Sequence, residues 1–406
     1  MPAKFTESRA LFQRASAVIP GGIYGHASPA ATVPGAFPYF AQSAKGCRYT
    51  DVDGNTYIDY MCGYGPILLG YQHAEVNEAA RIAQEAGDCF NHPTEYSVQL
   101  AEELVKRIDG ADWAVFGKNG SDMTSWAIRV AREHSGRKRI AKATHAYHGI
   151  DPWCVPGFGG VILEDRSQID HFYWNDLRSL EKLMQRHGEE LAAIIVTPFH
   201  HPAFEDSILP DPDFVEAVNQ FCVSHDILLI VDDVRCGFRL HEAGSHKLYG
   251  FTPDLMCYSK ALGNGYPISA CVGREALKIS ASKTFLTGSF WNASSAMAAA
   301  LKTLEIATRD QVIEQLRVQG QRLVNGMLQI GRDAGIELQA SGPPAMPYIR
   351  VANDPSFHQQ QALCASAVQN GLYLHPHHNW FLCAAHTADV IDESLERFSE
   401  AVSSLR

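Results

Sequence analysis

Ile227-Leu228-Leu229-Ile230-Val231, followed at once by Asp232-Asp233-Val234, is the strongest strand signal in the chain. Five large aliphatic residues with no polar break read as a strand buried on both faces, the pattern of a parallel sheet lying between helices. Working outward, an amphipathic helix over 212–224 precedes this strand, and a second apolar run, Leu191–Thr197, follows a helix over 177–187. Toward the N-terminus, helices over 95–108 and 121–134 alternate with strands at Trp113–Phe116 and 139–144, and beyond Asp233 a further strand is expected at Leu255–Tyr258. Short apolar runs alternating with helices predict an α/β fold whose large domain is a mostly parallel, doubly wound sheet.

The flanks read differently. Residues 1–18 predict a short helix that Pro20-Gly21-Gly22 stops, and 47–60 predict a hairpin turning on Asp53-Gly54-Asn55. Past residue 300 the chain is helix-rich (295–333), and strands are expected near 346–351 and 380–385. The expected organisation is an N-terminal segment (1–55) joining a small α+β domain, a large domain (56–300) and the rest of the small domain (301–406).

With 406 residues, 46% of them hydrophobic and 19% charged, the chain can bury a large core without disulfide or metal staples. The net charge of −11, without a Lys/Arg cluster, argues against a nucleic-acid partner. The ten cysteines are scattered with no CxxC pair, which favours free thiols in a reducing compartment. The N-terminus lacks a signal-peptide core, and no run is long enough to span a bilayer. A cytoplasmic protein with no membrane partner is the expectation.

In open α/β sheets, ligands collect at the carboxyl ends of strands. Four groups sit there. Lys260 ends Leu255-Met-Cys-Tyr-Ser259, where desolvation would lower its pKa and make it a nucleophile toward an aldehyde; the bland reading is a surface lysine at a loop start. Asp232 and Asp233 end the buried strand, where a carboxylate is costly without a cationic partner. A protonated pyridine nitrogen is one such partner, and a metal site or a helix N-cap are the alternatives. His241 and His246 do not supply a metal-ligand spacing, and no metal site is expected. Asn119-Gly120-Ser121-Asp122 opens a helix and could cradle a phosphate, or be an ordinary cap. Tyr147-His148-Gly149 follows a strand, and the aromatic could stack on a flat ring or fill the core.

A phosphate cradle, a stacking aromatic, an acidic pyridine partner and a lysine, each just past a strand, describe a site for pyridoxal 5′-phosphate (PLP). The chain resembles the class III aminotransferases of PLP fold type I, with the glutamate-1-semialdehyde aminomutase-like branch nearest. The resemblance runs from Val18-Ile-Pro-Gly-Gly22 to Ala385-His386 and includes Asp51–Tyr60, Gly65–Gly70, Asn119–Asp122, Tyr147–Gly149, Asp232–Val234, Gly237-Phe-Arg239 and Pro253–Lys260. It implies that Lys260 is the Schiff-base lysine, Asp232 the pyridine partner, Val234 the apolar residue under the ring and Tyr147, with His148, the stacking side. Gly120 and Ser121 would hold the phosphate. Family members are dimers in which a hydroxyl from the second subunit caps the phosphate; here that position is Ser289.

Departures concern the substrate. The aminomutase Ser and Arg after the Pro-Gly-Gly turn are replaced by Ile23-Tyr24-Gly25-His26-Ala27-Ser28, a Trp becomes Tyr64, a Glu-Pro becomes Thr197-Pro198 ahead of Phe199-His200, and a Met or Gln becomes Arg235. Arg235 could meet the cofactor's phenolic oxygen, an acidic substrate group, or a core carboxylate such as Asp233. His375, His377 and His378 form a His-rich tract, read as pocket-lining or solvated rather than metal-binding. Tyr24, His26, Tyr64, His200, Arg235 and His377 are the candidate substrate residues. The resemblance implies a PLP-dependent aminotransferase acting on an amine or amino acid and a keto or aldehyde acceptor. The alternatives are an aminomutase, racemase or lyase using the same carbanion, and a non-catalytic PLP-binding protein.

Overall fold

Alternate residues of the Ile227–Val231 run enter two different cores. Leu229 and Val231 pack with Leu100, Phe214 and Met297, whereas Leu228 and Ile230 pack with Met123, Trp126 and Ile195. Strand side chains alternate faces, so helices cover both sides of this sheet, as an unbroken apolar run demands. The computed structural model describes residues 4–25 and 36–405. The chain divides into two units: one comprises Ala74–Pro202 and Ile208–Ile313, the other Met1–His73, Ala203–Ser207 and Glu314–Arg406.

The first of these, the large unit, holds seven strands: β1 (Trp113–Gly117), β2 (Arg139–Ala143), β3 (Ile169–Phe172), β4 (Leu191–Val196), β5 (Leu228–Asp232), β6 (Leu255–Tyr258) and β7 (Ser269–Gly273). Their spatial order is β1-β7-β6-β5-β4-β2-β3. β3, β2, β4, β5 and β6 pair in parallel. Only β7, between β1 and β6, runs antiparallel to its neighbours. Sequence reading finds five of the seven. It misses β3, whose Ile-Asp-His-Phe carries two polar centres, and β7, whose Ser-Ala-Cys-Val-Gly is built of small residues.

The helices fall where capping chemistry puts them. Gly120–Ser135 ends on Gly136 in the left-handed region, and Pro212 occupies the first turn of Pro212–His225. The helical stretch expected over 295–333 is two helices, Ser294–Arg309 and Val312–Ala334, separated where Gln311 adopts φ +51°.

In the small unit, Thr6–Val18 is helical, and Ala41–Lys45, Arg48–Asp51, Thr56–Asp59 and Leu372–Tyr373 form one sheet. The hairpin turns where expected: Asp51 Oδ1 accepts the N–H groups of Asp53 (3.0 Å) and Asn55 (2.8 Å) across Gly54 at φ +84°. Leu338–Ser341 pairs with Tyr348–Val351. The strand expected near 380–385 does not form. The N–H groups of Trp380 and Leu382 go to the Pro347 and Ala345 carbonyls of one segment, but those of Phe381 and Ala384 go to Tyr60 and Leu68, so the segment's bonds are divided among neighbours. Among the described residues no helix is long and apolar enough to cross a membrane. All ten cysteines are free, and nine are buried.

Candidate active site

Asp232 continues the face of Leu228 and Ile230, the side of the sheet covered by the Gly120–Ser135 helix. Its Oδ2 lies 2.8 Å from His148 Nδ1, and its Oδ1 accepts the Val234 N–H at 3.2 Å. Burial lowers the pKa of His148, against the pull of Asp232, so the ring is neutral and Nδ1 carries the proton toward the carboxylate. Its Nε2 is buried without a hydrogen-bond partner. The ring stacks on Trp153 at 6.1 Å and 11°, and its carbonyl accepts from Thr124 Oγ1 at 2.7 Å. These contacts fix the imidazole, which in turn fixes the carboxylate.

Asp233 turns to the other face. It is fully buried, its Oδ2 accepts the Ser245 N–H at 2.7 Å, and burial pushes its pKa up to about 7. The two neighbouring carboxylates therefore serve different places.

Lys260 follows β6, the neighbour of β5, with Ser259 between them. Its backbone sits at φ +49°, a left-handed conformation costing a non-glycine residue roughly 1–2 kcal/mol. Such strain at a strand end marks a position where direction matters more than comfort. Burial, then the nearby Arg235 guanidinium, lowers the amine's pKa to about 7, while Asp232 opposes the shift. Arg235 is itself lowered to about 10 by burial, with Asp232 and Tyr147 within electrostatic reach. Lys260, Arg235, Asp232 and Tyr147 thus share one recess.

The floor of this recess is set by close backbone approach. A Cβ on Gly120 would come within 2.6 Å of Val234 Cγ1, so only glycine lets the helix start rest on Val234. Gly149, at φ +137°, meets Ser121 the same way: a Cβ there would lie 2.5 Å from its Oγ. Asp122 Oδ2 takes the N–H groups of Lys118 (2.9 Å) and Asn119 (2.8 Å). The N–H groups of Gly120 and Ser121 belong to the first helical turn, where no intrahelical carbonyl takes them, and the helix dipole favours an anion beside them. An amine titrating near neutrality, a fixed carboxylate, an aromatic, a valine and an anion-binding helix start fit PLP.

The class III aminotransferase model matches residues 30–159 and 160–404. The chain belongs to this family. It is 43% identical to the aminopentol aminotransferase of Sphingopyxis macrogoltabida over 403 residues, covering 99% of this chain and 95% of that one. The PLP-bound structure of the FumI protein of Sphingopyxis sp. MTA144 superposes with a TM-score of 0.97 at 43% identity, covering 98% of this chain and 96% of that one. A glutamate-1-semialdehyde 2,1-aminomutase of Syntrophobacter fumaroxidans matches at 31% identity, covering 97% and 96%. The chain is a PLP-dependent aminotransferase, and its likeness to the aminomutases is the weaker of these two.

Of the remaining candidate residues, His200 lies in the large unit, buried and stacked on Trp174 at 5.6 Å; burial and the neighbouring histidines lower its pKa to about 4. Ser289 is exposed there, in a loop whose Phe290 ring lies 5.7 Å from Lys118 Nζ. Tyr24, Tyr64 and His377 belong to the small unit. Tyr24 is exposed. Tyr64 adopts φ +66° with its ring edge-on to His378 at 5.4 Å. His377 is buried against Phe204, 4.5 Å between rings, with Nε2 3.1 Å from Gln361. His26 lies outside the described residues. Sequence reading overlooked Trp153, which backs His148, although it follows Gly149 by only four positions.

Proposed function

We propose that this aminotransferase draws its amino group from a primary amine that carries no carboxylate on the reacting carbon. One observation carries this reading: after Pro20-Gly21-Gly22, where the aminomutases hold a substrate carboxylate with arginine, Ile23–Cys47 contains no arginine and a single lysine, the exposed Lys45. The 43% likeness to an aminopentol aminotransferase supports it.

Bound PLP supplies an aldehyde and an electron-withdrawing ring that stabilises negative charge on the substrate carbon. Lys260 would hold it covalently, and Lys260 Nζ, when free and neutral, would take a proton from the substrate and return it. Asp232, held by His148 and Val234, would meet the ring nitrogen with its carboxylate. Val234 and Tyr147 would flank the ring, and Gly120 and Ser121 would take the phosphate. Arg235 adds positive charge beside Nζ, which keeps the amine unprotonated and nucleophilic. The working unit is a homodimer in which the exposed Ser289 hydroxyl reaches the partner's phosphate site. Nine buried free thiols fit a reducing compartment such as the cytoplasm.

The test is a panel of amines and α-amino acids in single half-reactions followed by absorbance. Neutral primary amines are expected to exceed α-amino acids by at least about tenfold in kcat/KM, on the order of 1.4 kcal/mol. Equal or better rates with α-amino acids would overturn the proposal.

A further inference from the structure

The small unit gathers three buried, metal-capable side chains that the reaction does not use. Cys383-Ala384-Ala385-His386 forms a turn closed by the His386 N–H on the Cys383 carbonyl at 2.9 Å. The turn brings Cys383 Sγ to 3.3 Å from His386 Nδ1. Cys62, from the segment after the Thr56–Asp59 strand, completes the group: the two sulfurs and a ring nitrogen all lie within 4.8 Å of one another. Among the described residues this is the one such trio.

Each part is held from behind. The Cys62 N–H donates to Asp59 Oδ2 at 3.1 Å, and Cys62 sits at φ +49°, which aims its sulfur inward. The His386 ring stacks on Tyr60 at 4.5 Å, and its Nε2 is buried without a hydrogen-bond partner. Cys62, Cys383 and His386 are at most 1% exposed. Cys62 Sγ lies 3.6 and 3.5 Å from the Asp59 and Phe381 carbonyls.

We propose that Cys62, Cys383 and His386 form a three-residue ligand set for a thiophilic cation of the zinc class. Zinc sits about 2.3 Å from thiolate sulfur and about 2.0–2.1 Å from imidazole nitrogen. Ligands around such an ion are therefore separated by roughly 3.5–4 Å; Cys383 Sγ and His386 Nδ1 lie 3.3 Å apart, and all three ligand atoms lie within 4.8 Å of one another. Two thiolates and a neutral imidazole balance a divalent charge, so the occupied site can stay buried, and binding releases the two thiol protons. Ligation diverts the Nδ1 lone pair from the Cys383 N–H, now 2.9 Å away, and leaves the adjacent sulfurs to accept that donor. The ion would tie the C-terminal segment to the Met61–Gly65 turn, where the Tyr64 N–H bonds the Met61 carbonyl at 2.8 Å. It would thereby set the orientation of Tyr64.

The test uses PLP-loaded protein, reduced and anaerobic, exposed to Zn(II) and then dialysed. Wild type is expected to retain about one zinc per chain by elemental analysis, and its melting temperature to rise over that of chelator-treated protein. His386→Asn, which keeps both thiols, and the Cys62→Ala/Cys383→Ala double variant should each lose at least about tenfold of the zinc affinity while keeping PLP absorbance. A His375→Gln/His378→Gln control should retain the zinc. The proposal fails if wild type retains no zinc, if the His386 or double-cysteine variant holds as much as wild type, or if the zinc follows the His375/His378 pair.

Discussion

The rim of the recess around Lys260 and the sealed pocket around Asp233 lie on opposite faces of one sheet, and both bury charge. In each, burial moves a titratable group to about 7, Lys260 downward and Asp233 upward. The surroundings differ. Asp233 is 0% exposed and sits against Ser245, where the backbone packs closely on Tyr258: a Cβ on Gly237 would come within 2.5 Å of the Tyr258 ring, and one on Gly244 within 2.6 Å of the Tyr258 hydroxyl. Lys260, Arg235, Tyr147 and Val234 remain partly exposed, as walls of an open recess. A perturbed pKa therefore does not by itself mark chemistry; room for a ligand beside the perturbed group does. Lys142 makes the same point, because burial lowers it to about 8 while its Nζ is spent on the Ala146 carbonyl at 2.7 Å.

Removing the amine from the open rim should have the largest effect. Lys260→Ala is expected to lower turnover on the order of 10⁴-fold, the upper range for a proton-transfer group. Borohydride reduction of wild type should place the cofactor mass on the Lys260 peptide and leave that of Lys142 unlabelled. Label on Lys142 would break the distinction between the two lysines.

The paired carboxylates come next. Asp232→Asn should retain PLP and lose about a thousandfold in kcat, about 4 kcal/mol. Asp233→Asn should stay within about threefold of wild type, since that side chain meets no reacting atom. Similar losses in both variants would erase the difference between the two faces.

A smaller effect follows from the Lys260 amine. Below about 7 it is an ammonium ion and cannot attack the aldehyde, so the rate at which apo-protein recaptures PLP should rise about tenfold per pH unit and level off above about 7. Because Arg235 helps lower this pKa after burial, Arg235→Gln should move the break to higher pH. A pH-independent recapture rate would contradict the assignment.

The smallest effect concerns stability. Asp233 rises from 3.8 to about 7 on folding, so between those values the folded state holds a proton that the unfolded state has lost. Stability should therefore fall as pH rises from about 4 to 7, by at most about 4 kcal/mol, and change little above that. Asp233→Asn should flatten this slope in thermal melts at pH 5 and pH 8. An unchanged slope would place the cause elsewhere.

The parallel core was legible because strands such as Leu228–Asp232 bury both faces, and their composition says so without a partner. Lys260, Asp232, Tyr147 and Gly120 could be picked out as candidates because each lies at or within a few residues of a strand's carboxyl end. What escaped depends on distant contact. β7 is made of small residues whose only strand signal is the pair of neighbours that flank it. The segment 380–384 has strand composition, but its hydrogen bonds are divided among the 345–347 segment, Tyr60 and Leu68. Cys62 and Cys383 lie near opposite ends of the chain, and no spacing rule joins them.

Lys260 occupies a left-handed backbone position that lysine tolerates poorly, and it carries an amine whose charged form burial penalises, lowering its pKa to about 7. Asparagine adopts that conformation more readily and brings no buried cation. An inactive Lys260→Asn chain is therefore expected to survive heating better than the working apo-enzyme. Screening variants of this protein for heat resistance alone would drift toward catalytically dead molecules, so any programme to harden it must select on turnover in the same round.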